Sequence, residues 1–323
     1  MPDWIYRILK PSLNAGLGDG PYNLNSFYTN SWAPLPDEAQ SLSLLSPRLL
    51  ELSRTYREFG DPPCNDWGSS ERNLPFFRAD NDYVWQPRYF VDHFEKRLRR
   101  YAEYVASVDR LGLMKRCIED LQFGAFGVFY GDQIVSRDLL DSVLQINLAY
   151  ESVDALQITA PTVLDIGAGY GRLAHRISES FGGSWKTLCA DGIALSTFLS
   201  EWYLDFRQVR NCRVVPVNDL RKVLKDDRPQ VAFNVHSFSE IPCKTVAWWL
   251  NELEIASIDR LVVVTNERSM EFLSSEVNGD RIDLFPILNS RGWTVERQEP
   301  LVANAKMRQA SNVHNFFLYL RRS

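Results

Sequence analysis

The stretch Val163-Leu164-Asp165-Ile166-Gly167-Ala168-Gly169-Tyr170-Gly171-Arg172-Leu173 decides how this chain is read. An apolar run ends in an acidic residue, passes into glycines at every second position, and continues directly into a helical pattern. Glycines spaced this way let a backbone turn sharply and approach a bound ligand with no Cβ in between. The helix that follows offers unpaired N–H groups and the positive end of its dipole. A dinucleotide loop of the G-x-G-x-x-G kind would need its third glycine at position 172, which is Arg172. Here the third glycine comes one residue early. Asp165, ahead of the loop, suits a cationic ligand better than a pyrophosphate.

Downstream of this loop, short β-rich runs alternate with helical patterns. Strands are predicted at 162–166, 187–190, 213–217, 231–235 and 260–265, and helices at 171–181, 194–206, 220–225 and 244–257. That alternation predicts a Rossmann-like α/β fold, a parallel sheet covered by helices. A helix around 280–289 and strands at 293–298 and 313–321 follow. The last two strands would close the sheet as an antiparallel hairpin.

Upstream the texture differs. Residues 1 to about 80 are rich in Pro, Asn, Ser and Gly and read as loops with one helix near Pro47–Phe59. Phe90, Phe94, Leu98, Tyr101 and Val105 recur on one helical face. A second helix is expected over 108–123, a turn-rich stretch through Gly124, Gly127 and Gly131, and a third helix capped by Ser136 and running to Leu156. The domain boundaries expected are 1–159, a mainly helical substrate or lid region, and 160–323, the α/β domain.

The bulk numbers fit such a protein. Of 323 residues, 45% are hydrophobic and 24% charged, the balance of a globular chain. The net charge of −5 argues against a nucleic-acid enzyme working through a broad basic face. Five cysteines without a C-x-x-C pair argue against a disulfide framework or a zinc cage. No apolar stretch approaches the ~18 residues of a membrane span. The expectation is a cytoplasmic protein with neither a nucleic-acid partner nor a membrane span; its state, monomer or homo-oligomer, is left open.

Several segments carry a family resemblance. The Asp165–Gly171 loop resembles motif I of class I S-adenosylmethionine-dependent methyltransferases. The stretches Phe77-Arg78-Ala79-Asp80-Asn81-Asp82-Tyr83-Val84-Trp85-Gln86, Glu119-Asp120-Leu121-Gln122-Phe123-Gly124, Ser136-Arg137-Asp138-Leu139-Leu140-Asp141-Ser142 and Ser237-Phe238-Ser239-Glu240 resemble the sugar O-methyltransferase family within that class. The resemblance covers roughly residues 77–320. It implies S-adenosylmethionine as cofactor and a sugar hydroxyl, free or attached to a nucleotide, natural product or glycan, as acceptor. Methylation of another small-molecule hydroxyl or amine, and a catalytically silent binding subunit, are the competing readings.

Site residues follow from position. Asp165, Gly167, Ala168, Gly169 and Gly171 would hold the cofactor. Asp191, with Gly192 after it, ends the next strand about 20 residues beyond the loop, where a carboxylate can bind ribose hydroxyls; its competing role is a helix cap. The resemblance places Asn218 or Asp219 beside the adenine, with an N-cap role equally open for either. It also places the end of the strand at 231–235 against the transferred methyl group. There His236 is the candidate base, since an imidazole can titrate near neutrality. Glu240 is the alternative base, or orients His236 in a dyad. Tyr83, Trp85, Gln86, Tyr130, Arg137 and His314 are acceptor candidates, because aromatic faces stack on sugars while amide and guanidinium groups grip hydroxyls or phosphate. His93 and His175 have no supporting motif. The adjacent pair Asp226-Asp227 reads as a solvated turn, so no metal is expected.

Overall fold

The computed structural model describes residues 42–60, 94–124, 127–154 and 156–323. Its elements in chain order are α1 Pro47–Phe59, α2 Phe94–Val108, β1 Gly127–Tyr130, β2 Gln133–Ser136, α3 Arg137–Asp154, β3 Thr162–Ile166, α4 Arg172–Phe181, β4 Lys186–Ala190, α5 Ala194–Phe206, β5 Cys212–Val215, α6 Leu220–Asp227, β6 Val231–Val235, α7 Cys243–Ile255, β7 Arg260–Val264, β8 Leu273–Ser275, β9 Arg281–Asp283, α8 Phe285–Ser290, β10 Trp293–Pro300, α9 Ala305–Ser311 and β11 Phe316–Arg322.

Seven strands form one sheet in the order β10-β11-β7-β6-β3-β4-β5. Strands β3 to β7 pair in parallel, and β11 runs antiparallel to both β7 and β10. This is the Rossmann-like α/β sheet with its closing antiparallel hairpin. The chain winds outward from β3 in one direction through β4 and β5, then returns to β6 on the other side. That reversal leaves a crevice at the carboxyl ends of β3, β4 and β6, where ligands bind in open α/β sheets.

Alternate residues of the central strands enter different cores. Val163, Val231, Phe233 and Val262 pack with α2, α3 and α4, while Leu164, Ala232 and Val263 pack with α6, α7 and α8. Burial on both faces is why these strands read as unbroken apolar runs. α1 packs against α5 through Leu49, Leu52, Phe198 and Leu199, and Arg48 grips Glu201 with Nε and Nη2 at 2.9 and 2.6 Å.

Ser136 caps α3 as expected, its Oγ accepting from the Leu139 amide at 3.0 Å. Three expectations are corrected. The helix expected over 108–123 is absent: past Val108 the chain turns through Gly112 (φ 65°) and makes only short 3-10 segments, at Leu113–Lys115 and Gln122–Gly124. Asp109 Oδ2 takes the Met114 amide at 2.9 Å, and Glu119 Oε1 takes that of Leu121 at 2.8 Å. Such side-chain bonds offer the backbone an alternative to the helix. The turn-rich stretch near Gly131 is the β1–β2 hairpin. The helix expected around 280–289 is shorter, because its first part is spent on the β8–β9 hairpin. α9 also escaped the sequence reading, although Asn304 caps it by accepting from the amides of Lys306 and Met307 at 3.0 and 3.1 Å.

Candidate functional site

The loop between β3 and α4 is built by its glycines. Gly167, Gly169 and Gly171 have φ of 71°, 57° and 89°, a region side chains rarely adopt. The amides of Gly167 and Ala168 donate to the Ala190 carbonyl at 2.8 and 3.3 Å, folding the loop over the end of β4. A Cβ on Gly167 would sit 2.6 Å from Ser237 Cβ, and one on Gly171 2.8 Å from Leu204 Cδ1. These two glycines therefore also answer to packing. The Gly169 amide instead faces Asp191, donating to its Oδ2 at 3.0 Å.

Two buried carboxyls flank the loop. Asp165 is 3% exposed and its carboxyl receives no hydrogen bond among the described residues; burial, with Asp191 nearby, pushes it up to about 7 against the opposing charge of Arg172. Burial also pushes Asp191 up to about 7, although the amides of Gly169 and Ile193 favour its ionised form; Glu240 adds to the rise. Arg172, the nearest cation, is committed elsewhere: Nη1 donates to Ser142 Oγ at 2.6 Å and Nη2 to Gln145 Oε1 at 3.0 Å. The crevice thus holds two carboxyls whose ionisation a bound cation would favour. Asp191 does not cap α5, whose N-cap residue is Ile193; it closes the turn just before it.

Asn218 and Asp219 lie exposed on a 3-10 turn after β5. Asp219 precedes α6 without a side-chain cap bond, so the capping role is not realised there. A residue missed in the sequence joins these two strand ends. Tyr56 on α1 donates its hydroxyl to the Asp191 carbonyl at 3.3 Å, shares a 2.7 Å hydrogen bond with Thr197 Oγ1, and accepts from the Val217 amide at 3.3 Å. No motif marks a tyrosine whose partners lie more than 130 residues away.

His236 follows β6 in a positive-φ conformation (φ 68°), its amide donating to the Val264 carbonyl at 2.7 Å. Burial, with the charges of Arg172 and Arg137, pushes its imidazole down to about 4, while Asp141 opposes the shift. The ring is therefore neutral at pH 7, and its titration is not near neutrality as the sequence suggested. The dyad with Glu240 is not formed: Glu240 Oε1 accepts from Asn266 Nδ2, and its charge bears on Asp191. Asn234, fully buried, holds the turn by donating to the Ile166 carbonyl at 2.9 Å and accepting from the Phe238 amide at 3.0 Å.

Of the acceptor candidates, Arg137 is buried on α3. Its Nε donates to both Asp141 oxygens, at 2.7 and 2.8 Å, and its guanidinium lies 5.1 Å from the Tyr101 ring centre. Tyr101 donates to Asp141 Oδ1 at 2.6 Å. His314, just before β11, sits 3.2 Å from Asn312 Oδ1; burial and the charges of Arg268, Arg308 and Arg137 push it down. Tyr130 ends β1 and packs against the core around α3. Tyr83, Trp85, Gln86 and His93 lie outside the described residues. His175 is buried and hydrogen-bonded to the Tyr203 hydroxyl at 3.0 Å.

Segments distant in sequence meet in one buried network behind the glycine loop. Arg176 reaches Glu119 and Asp138 at 3.2 and 3.3 Å, Glu119 accepts from Ser136, and Tyr170 donates to Asp138 at 3.3 Å. These residues brace the loop against α3. Asp227 pairs with Lys186 and Arg213, and among the described residues no group of three or more His, Cys, Asp or Glu side chains could hold a metal ion. No helix among the described residues is long and apolar enough to cross a membrane.

No protein-family model matches the chain, and no curated protein matches it. Among solved structures, it is similar to a SAM-dependent methyltransferase from Aquifex aeolicus, at 18% identity and TM-score 0.39 over 54% of this chain and 89% of that one. It is similar to the mitomycin 7-O-methyltransferase MmcR, at 18% identity and TM-score 0.39 over 57% of each chain. It is also similar to M. capricolum TrmK in complex with S-adenosyl-homocysteine, at 11% identity and TM-score 0.35 over 54% of this chain and 67% of that one. Likenesses this distant carry no argument about the reaction, and the fold stands on the strand order itself.

Proposed function

We propose that the chain is an S-adenosylmethionine-dependent O-methyltransferase acting on a sugar hydroxyl. The observation that carries this reading is the pairing of the left-handed glycine loop with Asp165, a buried carboxyl without a hydrogen-bond donor among the described residues, at the strand-order reversal. A cationic ligand fits that carboxyl, and Asp191 offers its remaining lone pairs to ribose hydroxyls. The glycines let the backbone approach the ligand, and Asn218 and Asp219 are exposed where an adenine edge would lie.

S-adenosylmethionine supplies an electrophilic methyl group on a positively charged sulfur. The chain's part is to hold the acceptor oxygen in line with it at ~3–3.5 Å and to take its proton. His236 stands ready as a neutral imidazole. Although its basicity is lowered, the hydroxyl becomes strongly acidic as its bond to carbon forms, so a weak base in place suffices. Residues 1–159 would supply the acceptor side and residues 160–323 the cofactor side.

Calorimetry with S-adenosylhomocysteine and with NAD tests the cofactor, and turnover on a panel of free, nucleotide-linked and glycoside sugars tests the acceptor. Binding of S-adenosylhomocysteine without NAD, followed by methylation of a sugar, is the expected result. NAD binding, or no turnover on any sugar, would overturn it.

A further inference from the structure

Beside the proposed transfer site, positive charge gathers at the carboxyl end of β7. The segment before β11 is stitched to the end of β7: the Thr265 amide donates to the Phe316 carbonyl at 2.9 Å and Asn315 Nδ2 to the Thr265 carbonyl at 2.8 Å. This sets His314 beside the chain leaving β7, on which Arg268 lies three residues past Thr265. The His236 amide is bonded to Val264 of the same strand, so both imidazoles stand at one edge of the sheet. Among the described residues, Arg308, on α9, donates only to backbone carbonyls, those of Val302 and Ala303 at 2.8 and 3.3 Å.

The charges bearing on His314 are those of Arg268, Arg308 and Arg137, all positive. Of these, Arg137 is paired with Asp141, whose negative charge also bears on His236, which leaves Arg268 and Arg308 as the cations around His314 to be offset. Among the described residues, neither Arg268 nor Arg308 forms an ion pair. The carboxylates close in sequence are engaged: Glu267 pairs with Arg281, Glu271 accepts from Ser269 at 2.7 Å, and Glu240 accepts from Asn266. In a chain of net charge −5, such a gathering of cations at one strand end costs self-repulsion unless an anion offsets it.

We propose that Arg268, Arg308 and His314 bind an anionic group, phosphate or carboxylate, carried by the methyl acceptor. Guanidinium groups match either anion with paired hydrogen bonds, and the anchored acceptor would present its hydroxyl toward His236. This deepens the sugar reading above and rests on it. It narrows the acceptor to a phosphorylated, nucleotide-linked or acidic sugar.

The test follows the His314 ring resonance by NMR in the full-length protein, assigned with His314→Gln, as inorganic phosphate or glucuronate is added. Expected is a saturable shift, with tighter binding of phosphate naming a phosphate acceptor and of glucuronate an acidic sugar. Arg268→Gln should weaken binding at least tenfold and Arg268→Lys less. Arg268 is exposed, so this variant should fold even if an Arg308 variant does not. No shift with either anion, or a shift that Arg268→Gln leaves unchanged, would overturn the proposal. S-adenosylhomocysteine titration of the same samples reports separately on the cofactor reading.

Discussion

Gly169 and Asp191 meet at the crevice of the sheet: the glycine amide donates to Asp191 Oδ2 at 3.0 Å across 22 residues of sequence. The same carboxyl takes the Ile193 amide on Oδ1 at 2.9 Å. One side chain thus orders the glycine loop and the turn into α5 while keeping lone pairs for a ligand.

Asp191→Ala should therefore weaken S-adenosylhomocysteine binding by more than about 1.4 kcal/mol, tenfold in affinity, because both the ribose acceptor and the loop's anchor are lost. Calorimetry on the folded variant checks this. Unchanged affinity removes Asp191 from the site.

The glycines should separate by effect. Gly169→Val should abolish cofactor binding with the fold retained, since a branched residue at φ 57° distorts the loop where backbone meets ligand. Gly171→Ala should instead lower the melting temperature, because its Cβ would press on Leu204 Cδ1 and Ser200 Oγ, each at 2.8 Å. Circular dichroism melts alongside binding isotherms distinguish the two; a Gly169→Val protein that still binds would reduce the loop to a turn.

His236→Ala should cut kcat by roughly 10²–10⁴ with little change in cofactor affinity. A base works when unprotonated, so kcat at saturating S-adenosylmethionine should fall as pH drops through about 4 and stay flat across neutrality. Glu240→Gln should cost less, and because Glu240 bonds Asn266 rather than His236, the two losses should add in the double variant. A limb near pH 6.5 in kcat measured at saturating cofactor would contradict the buried, cation-flanked imidazole.

Asp165 and Asp191, both raised to about 7, should link protons to stability and to binding. A carboxyl with a raised folded-state pKa favours the protonated folded protein. The ligand-free protein should thus lose stability as pH rises from about 4 through 7. Binding of cationic S-adenosylmethionine should tighten over the same window and release protons, and Asp165→Asn should blunt both effects. Melting curves and calorimetry in buffers of different ionisation enthalpy measure them; pH-independent affinity would remove these carboxyls from the cation's surroundings.

The Rossmann-like sheet was legible in the chain because its signals are local. Apolar runs buried on both faces mark β3, β4, β6 and β7, glycines at alternate positions mark the β3–α4 turn, and a serine at a helix start marks α3. Residues at strand ends could be named as candidates because the fold places every carboxyl end of a parallel strand at one edge. What those residues do there was decided by neighbours remote in sequence. Asn266, not His236, takes the carboxylate of Glu240; Asp141 and Tyr101 enclose Arg137; Tyr56 ties Asp191 to Val217. His236 loses its neutral-range titration to burial and to Arg172 and Arg137. Hydrogen bonds and Coulomb forces act between atoms brought within a few ångströms by packing, and no spacing along the chain encodes those approaches.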